Sequence, residues 1–347
     1  MNAIQLALDR LVAGHDLTGD EAYAAVSQIM EGQASEVETA SLLTALRMKG
    51  EAISEIVGAA RAMHERATPI RTRHKGLLDT CGTGGDELHT FNISTAAAFV
   101  AAACGVPVPK HGNRSVSSTS GTADVLEQLG VNIQLGADLV GRCVDELKIG
   151  FCFAQLFHGA MKHAAPVRKQ LRFRTIFNLL GPLTNPARAE YQLVGTGRVE
   201  TAHRLARALA ELGRKHAFVV CGADQLDEVS LWGTTTAFEV TGGFVVEHRW
   251  TAETFGLPVC QVTDLQVGSP EESAAVLRSV FAGDKGPARN MVLANAAAAL
   301  MAAQRFVDPR AGVDAAAQAI DSGKVAKLVQ RLAELTKSLG VGEKSGP

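Results

Sequence analysis

The residue types best suited to chemistry in this 347-residue chain are concentrated in two polar loops. The first reads CGTGGD over residues 81–86, with three glycines in four positions, and the second reads KHGNRSVSS over residues 110–118. Glycines let the backbone approach a ligand closely, and the second loop offers cations, hydroxyls and an amide. Each loop leads into a predicted helix, whose N-terminus favours anions through its dipole and free N–H groups. The two loops together predict one ligand that carries two phosphate groups.

An adjacent acidic pair, Asp227 and Glu228, follows a predicted strand over residues 216–221. Carboxylates in such a position suit Mg2+, which takes one or two of them and completes its shell with water and phosphate oxygens. An Asp-Glu pair by itself is usually a solvated turn, just as a single glycine-rich loop is often only a tight turn. Because both phosphate loops should lie at the same sheet edge, we favour a cation site here.

A segment dense in cations, residues 154–188, contains a third candidate group, Arg168. The default interpretation of such charges is a solvated helical face. Arg168 differs because Pro166 and Val167 precede it at a predicted helix start. A planar guanidinium binds a carboxylate at two points, so Arg168 is a candidate carboxylate ligand.

Several function classes are disfavoured by composition and motif content. The chain has no GxxxxGK[ST] sequence, and Glu87 stands where a dinucleotide-binding motif needs glycine or alanine. The net charge is −2, without a basic stripe, which argues against a nucleic-acid partner. The six cysteines form no CxxC pair, and we interpret them as reduced thiols of a cytoplasmic protein. The sequence has no signal-peptide pattern, and its apolar runs are too short to span a membrane.

The elements that must position these residues alternate between strand and helix. Strand, loop and helix occur twice over residues 77–129, with one helix beginning near Asn92 and the next capped by Thr119, Ser120 or Thr122. Further strands are predicted at 131–133, 149–153, 191–195 and 216–221, and helices at 138–147 and 200–212. Residues 233–268 alternate as short antiparallel strands do, and residues 271–339 indicate three or four helices. The pattern predicts an α/β fold with a central, mostly parallel sheet flanked by helices.

Residues 1–66 show only helical patterns. Gly14, Gly32 and Gly50 mark helix ends, and two capping boxes mark helix starts, Thr18 with Glu21 and Ser35 with Glu38. We therefore predict a small, all-helical N-terminal domain of four helices.

The motifs CGTGGD, TFNIST, KHGNRSVSS and MKHAAPVRKQLRFRTIFNLLGPLTNP resemble those of the anthranilate phosphoribosyltransferase family. The resemblance covers most of the chain. It implies a helical domain over residues 1–70, joined by helices from about 157–189, and an α/β domain over the rest of residues 71–347. It also implies transfer of the phosphoribosyl group of 5-phosphoribosyl 1-diphosphate (PRPP) to the amino group of anthranilate, a step of tryptophan synthesis. Mg2+ and a homodimer formed through the helical domain are further implications.

The resemblance assigns roles to individual residues. It implies PRPP binding by Gly82, Gly85, Asp86, Thr90, Asn92, Ile93, Ser94, Thr95, Lys110, His111, Gly112, Asn113, Arg114, Ser115, Val116, Ser117, Ser118 and Thr122. It also implies anthranilate binding by Gly82, Asn113 and Arg168, and metal binding by Ser94, Asp227 and Glu228. His158 lies either on the path by which anthranilate enters or in a structural position.

The chain departs from the family pattern at three positions, where Glu87 and Gln225 replace the usual glycine and Gly159 replaces the usual proline. None of these changes removes a ligand-binding side chain. Two alternatives remain open from sequence: a pyrimidine nucleoside phosphorylase-like enzyme, and a non-catalytic relative that binds nucleic acid.

Overall fold

The N-terminal region consists of helices in the computed structural model, which describes residues 2–115 and 120–343. These helices are α1 (Ala3–Val12), α2 (Gly19–Met30), α3 (Glu36–Lys49) and α4 (Ile53–Glu65). Both predicted capping boxes are confirmed. The Thr18 and Ser35 hydroxyls each accept from the backbone N–H of the glutamate three residues later, and the backbone N–H groups of Thr18 and Ser35 donate to that glutamate's carboxylate. Helix α3 ends at Gly50, whose φ of +88° is the left-handed conformation that glycine adopts without strain.

The rest of the chain combines strands and helices. The strands are β1 (Leu78–Asp79), β2 (Val108–Gly112), β3 (Ile149–Phe153), β4 (Tyr191–Gly195), β5 (His216–Cys221), β6 (Thr235–Thr241) and β7 (Phe244–Trp250). The helices are α5 (Ile93–Ala103), α6 (Thr122–Gln128), α7 (Ala137–Leu147), α8 (Ala154–Phe157), α9 (Ala165–Leu171), α10 (Phe177–Leu180), α11 (Val199–Glu211), α12 (Pro270–Ala282), α13 (Pro287–Ala302), α14 (Pro309–Asp321) and α15 (Lys324–Glu343). Short 3-10 helices lie at Gly159–His163, Gly181–Leu183, Ala223–Gln225, Ala252–Phe255 and Val262–Asp264.

One sheet has the order β1, β4, β5, β6, β7; its first three strands are parallel and its last two are antiparallel additions. Strand β2 pairs in parallel with β3. The Leu78 N–H donates to the Pro107 carbonyl over 2.9 Å, which brings β1 beside the start of β2. The carboxyl ends of β1 and β2 therefore lie together. The predicted fold class, a helical domain plus an α/β domain with a mostly parallel sheet, is confirmed.

Two apolar clusters form the core. The larger one surrounds α5 and α13, whose alanines are almost fully buried and let the helices approach closely. The smaller one joins α1–α4 to α9 and α10, and it continues onto β4, β5 and α11 through residues such as Val194, Val219 and Ala206. The segment that contains Arg168 is thus packed between the helical region and the sheet. The exact domain boundaries stay a prediction.

Three local predictions were wrong. Residues 131–133 form no strand, because the Asn132 N–H donates to the Thr336 hydroxyl on α15 instead of a neighbouring strand. Lys110, His111 and Gly112 belong to β2 and not to a loop, because they pair with residues 151–153 of β3. Helix α6 is capped by Gly121, whose N–H donates to the Asp124 carboxylate, and the proposed cap Thr119 lies outside the described residues. Within the described ranges, no helix has the length and apolarity needed to cross a membrane.

Candidate active site

A cavity of about 680 Å³ brings the predicted functional groups together. The glycine-rich loop, the start of α5, the end of β2 and the start of α6 line one part of it. The acidic pair and the segment with Arg168 line the rest. The predicted site residues that line the cavity are Gly82, Gly85, Asp86, Thr90, Asn92, Ile93, Ser94, Lys110, His111, Gly112, Asn113, Arg114, Ser115, Thr122, Arg168, Asp227 and Glu228. Thr95 is fully buried and does not line it, and Val116, Ser117 and Ser118 lie outside the described residues.

The glycine-rich loop needs its glycines for two different reasons. A Cβ on Gly82 would lie 3.0 Å from the Gly195 carbonyl oxygen, which also accepts the Thr83 N–H over 2.9 Å. Gly84 and Gly85 have φ values of +65° and +86°, and a Cβ on Gly85 would clash with the Arg174 guanidinium. The loop therefore follows the end of β4 closely and exposes its backbone to the cavity.

The N-terminus of α5 is fixed by a hydrogen-bond clamp on Asn92. The Asn92 amide oxygen accepts from the hydroxyls of Ser120 and Ser273 over 2.7 and 2.9 Å, and its amide nitrogen donates to the Ser120 carbonyl. Asn92 therefore joins the first loop to the end of the second one. Sequence analysis named Ser120 only as a candidate helix cap and did not name Ser273, because their sequence separation from Asn92 gives no local signal.

The base of the second loop is held by buried polar groups. The Lys110 ammonium, which is 3% exposed, donates to the Thr80 carbonyl over 3.0 Å. The Asp79 carboxylate accepts from the His111 backbone N–H over 3.0 Å and from the Asn185 amide over 2.8 Å. Asp79 and Asn185 were also missed, although an aspartate at the end of an apolar strand is a usable signal for such a clamp.

Arg114 is engaged with carboxylates in this conformation. Its guanidinium donates to Glu127 over 2.6 and 2.9 Å and to Asp124 over 2.7 Å. The neighbouring Asn113 oxygen accepts the Arg114 N–H over 2.8 Å. A phosphate in the cavity would have to compete with these two carboxylates for Arg114.

Two histidines form a buried pair on the cavity wall. The His111 Nδ1 lies 3.0 Å from the Gly181 carbonyl, and its Nε2 lies 3.2 Å from the Nε2 of His158. Since a carbonyl only accepts, His111 donates from Nδ1 and accepts at Nε2 from His158. Burial lowers the pKa of His111, and burial together with His111 and His64 lowers the pKa of His158 to about 3. Both rings are therefore neutral at physiological pH, and His158 packs against His111 as part of the cavity wall.

The acidic pair is desolvated and close to a third carboxylate. Burial raises the pKa of Glu228 to about 8, and its Oε1 accepts the Ser94 N–H over 3.0 Å. Desolvation, followed by the charges of Asp86 and Glu228, raises the pKa of Asp227 well above its usual value. Asp227, Glu228 and the half-buried Asp86 repel one another unless protons or a cation neutralise them. Their oxygens and the Ser94 hydroxyl are hard donors of the kind that Mg2+ takes.

Arg168 lies in α9, half-buried, with its guanidinium 5.5 Å from the centre of the Phe177 ring. Burial and the charge of Arg174 lower the pKa of Arg168. Among the described residues, the Arg168 side chain has no carboxylate partner. It therefore presents an unpaired cation to the cavity, held flat by an aromatic face.

The chain is similar to known proteins over nearly its whole length. Residues 74–326 match the family described as "Glycosyl transferase family, a/b domain", and residues 5–67 match its helical bundle domain. The anthranilate phosphoribosyltransferase of Symbiobacterium thermophilum is 50% identical over 332 residues, which cover 96% of this chain and 97% of the relative. The corresponding protein of Chromobacterium violaceum is 48% identical over 338 residues, which cover 97% of this chain and 98% of the relative. The chain belongs to the anthranilate phosphoribosyltransferase family.

Solved structures of anthranilate phosphoribosyltransferases share the fold over the same length. The Thermus thermophilus structure has a TM-score of 0.91 and 42% identity, and the match covers 97% of this chain and 100% of that one. The Saccharomyces cerevisiae structure in complex with PRPP and Mg has a TM-score of 0.89 and 27% identity, with 96% and 98% covered.

The departures from the anthranilate phosphoribosyltransferase pattern have distinct structural settings. Glu87 and Gln225 have φ values of +60° and +65°, which is the left-handed conformation that glycine adopts more easily. Gly159 has open space where a Cβ would stand. Glu87 and Gln225 therefore have strained backbone conformations, whereas a side chain at Gly159 would meet no neighbouring atom at its Cβ.

Proposed function

We propose that the chain transfers the phosphoribosyl group of PRPP to the amino group of anthranilate. The products are N-(5-phosphoribosyl)anthranilate and diphosphate, in the second step of tryptophan synthesis from chorismate. One observation carries this proposal: a single cavity collects two phosphate-type loops, an acidic pair and an unpaired arginine.

Within this function we assign the phosphates of PRPP to the glycine-rich loop, the N-terminus of α5 and the residues after β2. Exposed backbone at Gly82 and Gly85, the Ser94 hydroxyl and the Lys110 ammonium support that assignment. The carboxylate of anthranilate is assigned to Arg168, beside Asn113 and Gly82. The roles given above to Thr90, Ile93, His111, Gly112, Ser115 and Thr122 belong to the same proposal, and those of Thr95, Val116, Ser117 and Ser118 stay predictions.

Mg2+ fits the donors that this chain offers. Asp227, Glu228 and the Ser94 hydroxyl would hold it, and the mutual repulsion of the carboxylates supports a cation there. Bound Mg2+ would stabilise the negative charge that develops on the departing diphosphate. The yeast relative in complex with PRPP and Mg supports this cofactor.

The reaction needs positioning more than proton transfer. The bond from ribose C1 to the diphosphate oxygen breaks, and its electron pair leaves with diphosphate. The anthranilate nitrogen gives its lone pair to C1, which has oxocarbenium character, and then loses one proton to solvent. Because an aromatic amine is already unprotonated at neutral pH, a strong general base is not required. Arg168 orients the amine, and the two loops hold the sugar in line with it.

We further propose a homodimer formed through the helical domain, a cytoplasmic location, and the division into domains given by the sequence. The six cysteines are all unpaired, which supports a reducing compartment. Exposed apolar side chains on α1 and α3 support a contact at the helical end.

The decisive experiment follows the fluorescence of anthranilate with PRPP and Mg2+. We expect anthranilate to disappear only when PRPP and Mg2+ are both present, with one diphosphate released for each anthranilate consumed. Turnover of thymidine with phosphate would favour the nucleoside phosphorylase alternative, and a mobility shift of nucleic acid at physiological salt would favour the binding-protein alternative. No consumption of anthranilate by folded protein would refute the proposal.

A further inference from the structure

A second cavity, of about 360 Å³, lies against the same glycine-rich loop. It shares residues 83–86, Arg174 and Asn178 with the substrate cavity but is not lined by Arg168, Lys110 or Glu228. Its other walls come from the end of α3, the start of α11 and the loop after β5. We call this cavity the arginine pocket, because Arg47, Arg174, Arg198 and Arg204 line it.

Three of these arginines have free hydrogen-bonding capacity. Neither Arg47 nor Arg198 has a side-chain hydrogen bond or ion pair within the described ranges, and Arg174 donates only to the Thr83 carbonyl, over 3.0 Å. Desolvation lowers the pKa of Arg174, and the negative charge of Asp227 raises it by a smaller amount. The positive charges of Arg47 and Arg198 lower the pKa of Arg174 further.

Four carboxylates, those of Glu51, Asp86, Glu87 and Asp224, line the pocket beside the four arginines. Glu51 is paired with Arg204 over 3.7 Å, Asp86 accepts the Leu88 N–H, and Asp224 accepts the Trp232 indole N–H over 3.0 Å. Only Glu87 has no partner among the described residues. The hydrogen-bond donors of Arg47, Arg174 and Arg198 nevertheless stay largely unused, and such donors suit a ligand with several anionic oxygens.

Further donors come from the N-terminus of α11, a helix of 13 residues. Its N-cap is Arg198, and no side chain caps its first turn. The backbone N–H groups there are free, and the hydroxyls of Thr196 and Thr201 also line the pocket. Guanidinium groups, hydroxyls and a helix N-terminus thus converge on one space.

We propose that the arginine pocket is a second anion site, and that it receives the diphosphate released by phosphoribosyl transfer. The inference rests on the proposed function, because that reaction frees diphosphate against the glycine-rich loop that both cavities share. Because the two cavities share residues 83–86 and Arg174, a diphosphate released in the substrate cavity lies directly beside the pocket. Arg47 and Arg198, which line the pocket alone, then replace the donors that it leaves behind, and Arg174 lines both cavities.

Glu87 gives this pocket a property peculiar to the chain. Its φ of +60° is one that glycine prefers, and it brings a carboxylate to the pocket wall beside Gln225, which has the same conformation. A carboxylate at this point repels a bound diphosphate and favours its release. Replacing Glu87 by glycine should therefore tighten diphosphate binding in the pocket, without disturbing a backbone that already favours glycine.

The test is equilibrium dialysis of the full chain with radiolabelled diphosphate, at saturating PRPP and Mg2+ and without anthranilate. PRPP fills the substrate cavity, so remaining bound diphosphate reports the second site. We expect one diphosphate per chain, a loss of affinity of about tenfold or more for each of Arg47→Ala and Arg198→Ala, and tighter binding in Glu87→Gly. Arg207→Ala is the matched control, since Arg207 is exposed on the same helix α11 and does not line the pocket.

Two comparisons make the test specific. Inorganic phosphate should displace diphosphate only at much higher concentration; equal displacement would overturn the assignment to diphosphate. The KM for PRPP should be unchanged in Arg47→Ala/Arg198→Ala; a parallel rise would mean that the pocket belongs to the substrate site. Binding that is absent in the unmodified chain would also refute the inference. Because dialysis needs no turnover, an inactive protein with arginine-dependent binding would refute the proposed function and leave the anion site standing.

Discussion

Among individual residues, Arg168 is the one that we propose to select the acceptor. Its guanidinium faces the cavity without a carboxylate partner among the described residues, and Phe177 supports it from one side. An acceptor with a carboxylate supplies the missing partner. The same residue contributes little to PRPP, whose phosphates we assign to the two loops on the other walls of the cavity.

Replacing Arg168 by alanine should raise the KM for anthranilate by about 10- to 100-fold, because two charge-assisted hydrogen bonds are lost. The KM for PRPP should change by less than about twofold, because we assign the phosphates of PRPP to the two loops and not to Arg168. The KM of Arg168→Lys for anthranilate should lie between those of the unmodified chain and Arg168→Ala, since lysine keeps the charge but not the planar guanidinium. Steady-state kinetics with each substrate varied in turn measures this. Lys169→Ala, an exposed neighbour on α9, is the control, and equal rises in both KM values would refute the carboxylate assignment.

Glu228 gives the metal-free protein a predictable dependence on pH. Burial raises its pKa from 4.5 to about 8, so the folded state holds a proton that the unfolded state releases. The resulting stability is fully present below about pH 4.5 and is lost as pH rises through 8.

In the presence of a chelator, the Tm should therefore fall by roughly 5 °C between pH 5.5 and pH 8.5, measured by differential scanning calorimetry. The Tm of Glu228→Gln should fall much less over this pH range, because glutamine cannot ionise. Glu211→Gln, an exposed position on α11, should keep it. A Tm of Glu228→Gln that falls as steeply as that of the unmodified chain would contradict the burial of this carboxyl group.

At the scale of elements, helix α13 holds the acidic pair in place. Asn295 is fully buried in this alanine-rich helix, and its amide donates to the Val229 carbonyl over 3.0 Å while its oxygen accepts the Val229 N–H over 2.8 Å. Val229 directly follows Glu228. The helix therefore fixes the backbone that carries the proposed metal ligands, and a single asparagine in an apolar run was the sequence signal for it.

Asn295→Ala should destabilise the protein by about 2–3 kcal/mol, because both backbone groups of Val229 lose their partner in a buried place. The Mg2+ concentration for half-maximal activity should rise as well, since the acidic pair is no longer fixed. Chemical denaturation and a Mg2+ titration measure the two effects. Asn290→Ala, on the same helix with no side-chain hydrogen bond among the described residues, should change neither. A destabilised variant with unaltered Mg2+ dependence would limit Asn295 to a structural role.

At the scale of the whole molecule, the helical end of the chain has apolar side chains that nothing in the described structure covers. Val37 and Met48 are 76% and 83% exposed, and their spacing of eleven residues places them on one face of α3. Exposed apolar groups at that spacing suit a helix contact with a second copy of the chain.

We predict that Val37→Glu/Met48→Glu converts a homodimer into a monomer, because two buried charges would face each other across the contact. Light scattering during gel filtration should show the mass halved. Val307→Glu, which changes a residue that is 94% exposed and far along the chain, should leave the mass unchanged. If the unmodified chain is already a monomer, the homodimer proposal fails.

The sequence by itself determined the features that depend on neighbouring residues. The helices of residues 1–66, their capping boxes, the phosphate-type loops, the acidic pair and the Arg168 segment could all be recognised, because caps, glycines and charge patterns act over a few residues. The fold class followed from the alternation of strand and helix.

Only the tertiary structure decided which distant groups complete the site. It extends β2 into the second loop, pairs His111 with His158, and fixes the loops through Asp79, Asn185 and Asn295. It also engages Arg114 with two carboxylates and removes Thr95 from the cavity. These outcomes depend on hydrogen bonds and burial between segments far apart in the chain, so the sequence does not show which partner each of these groups finds.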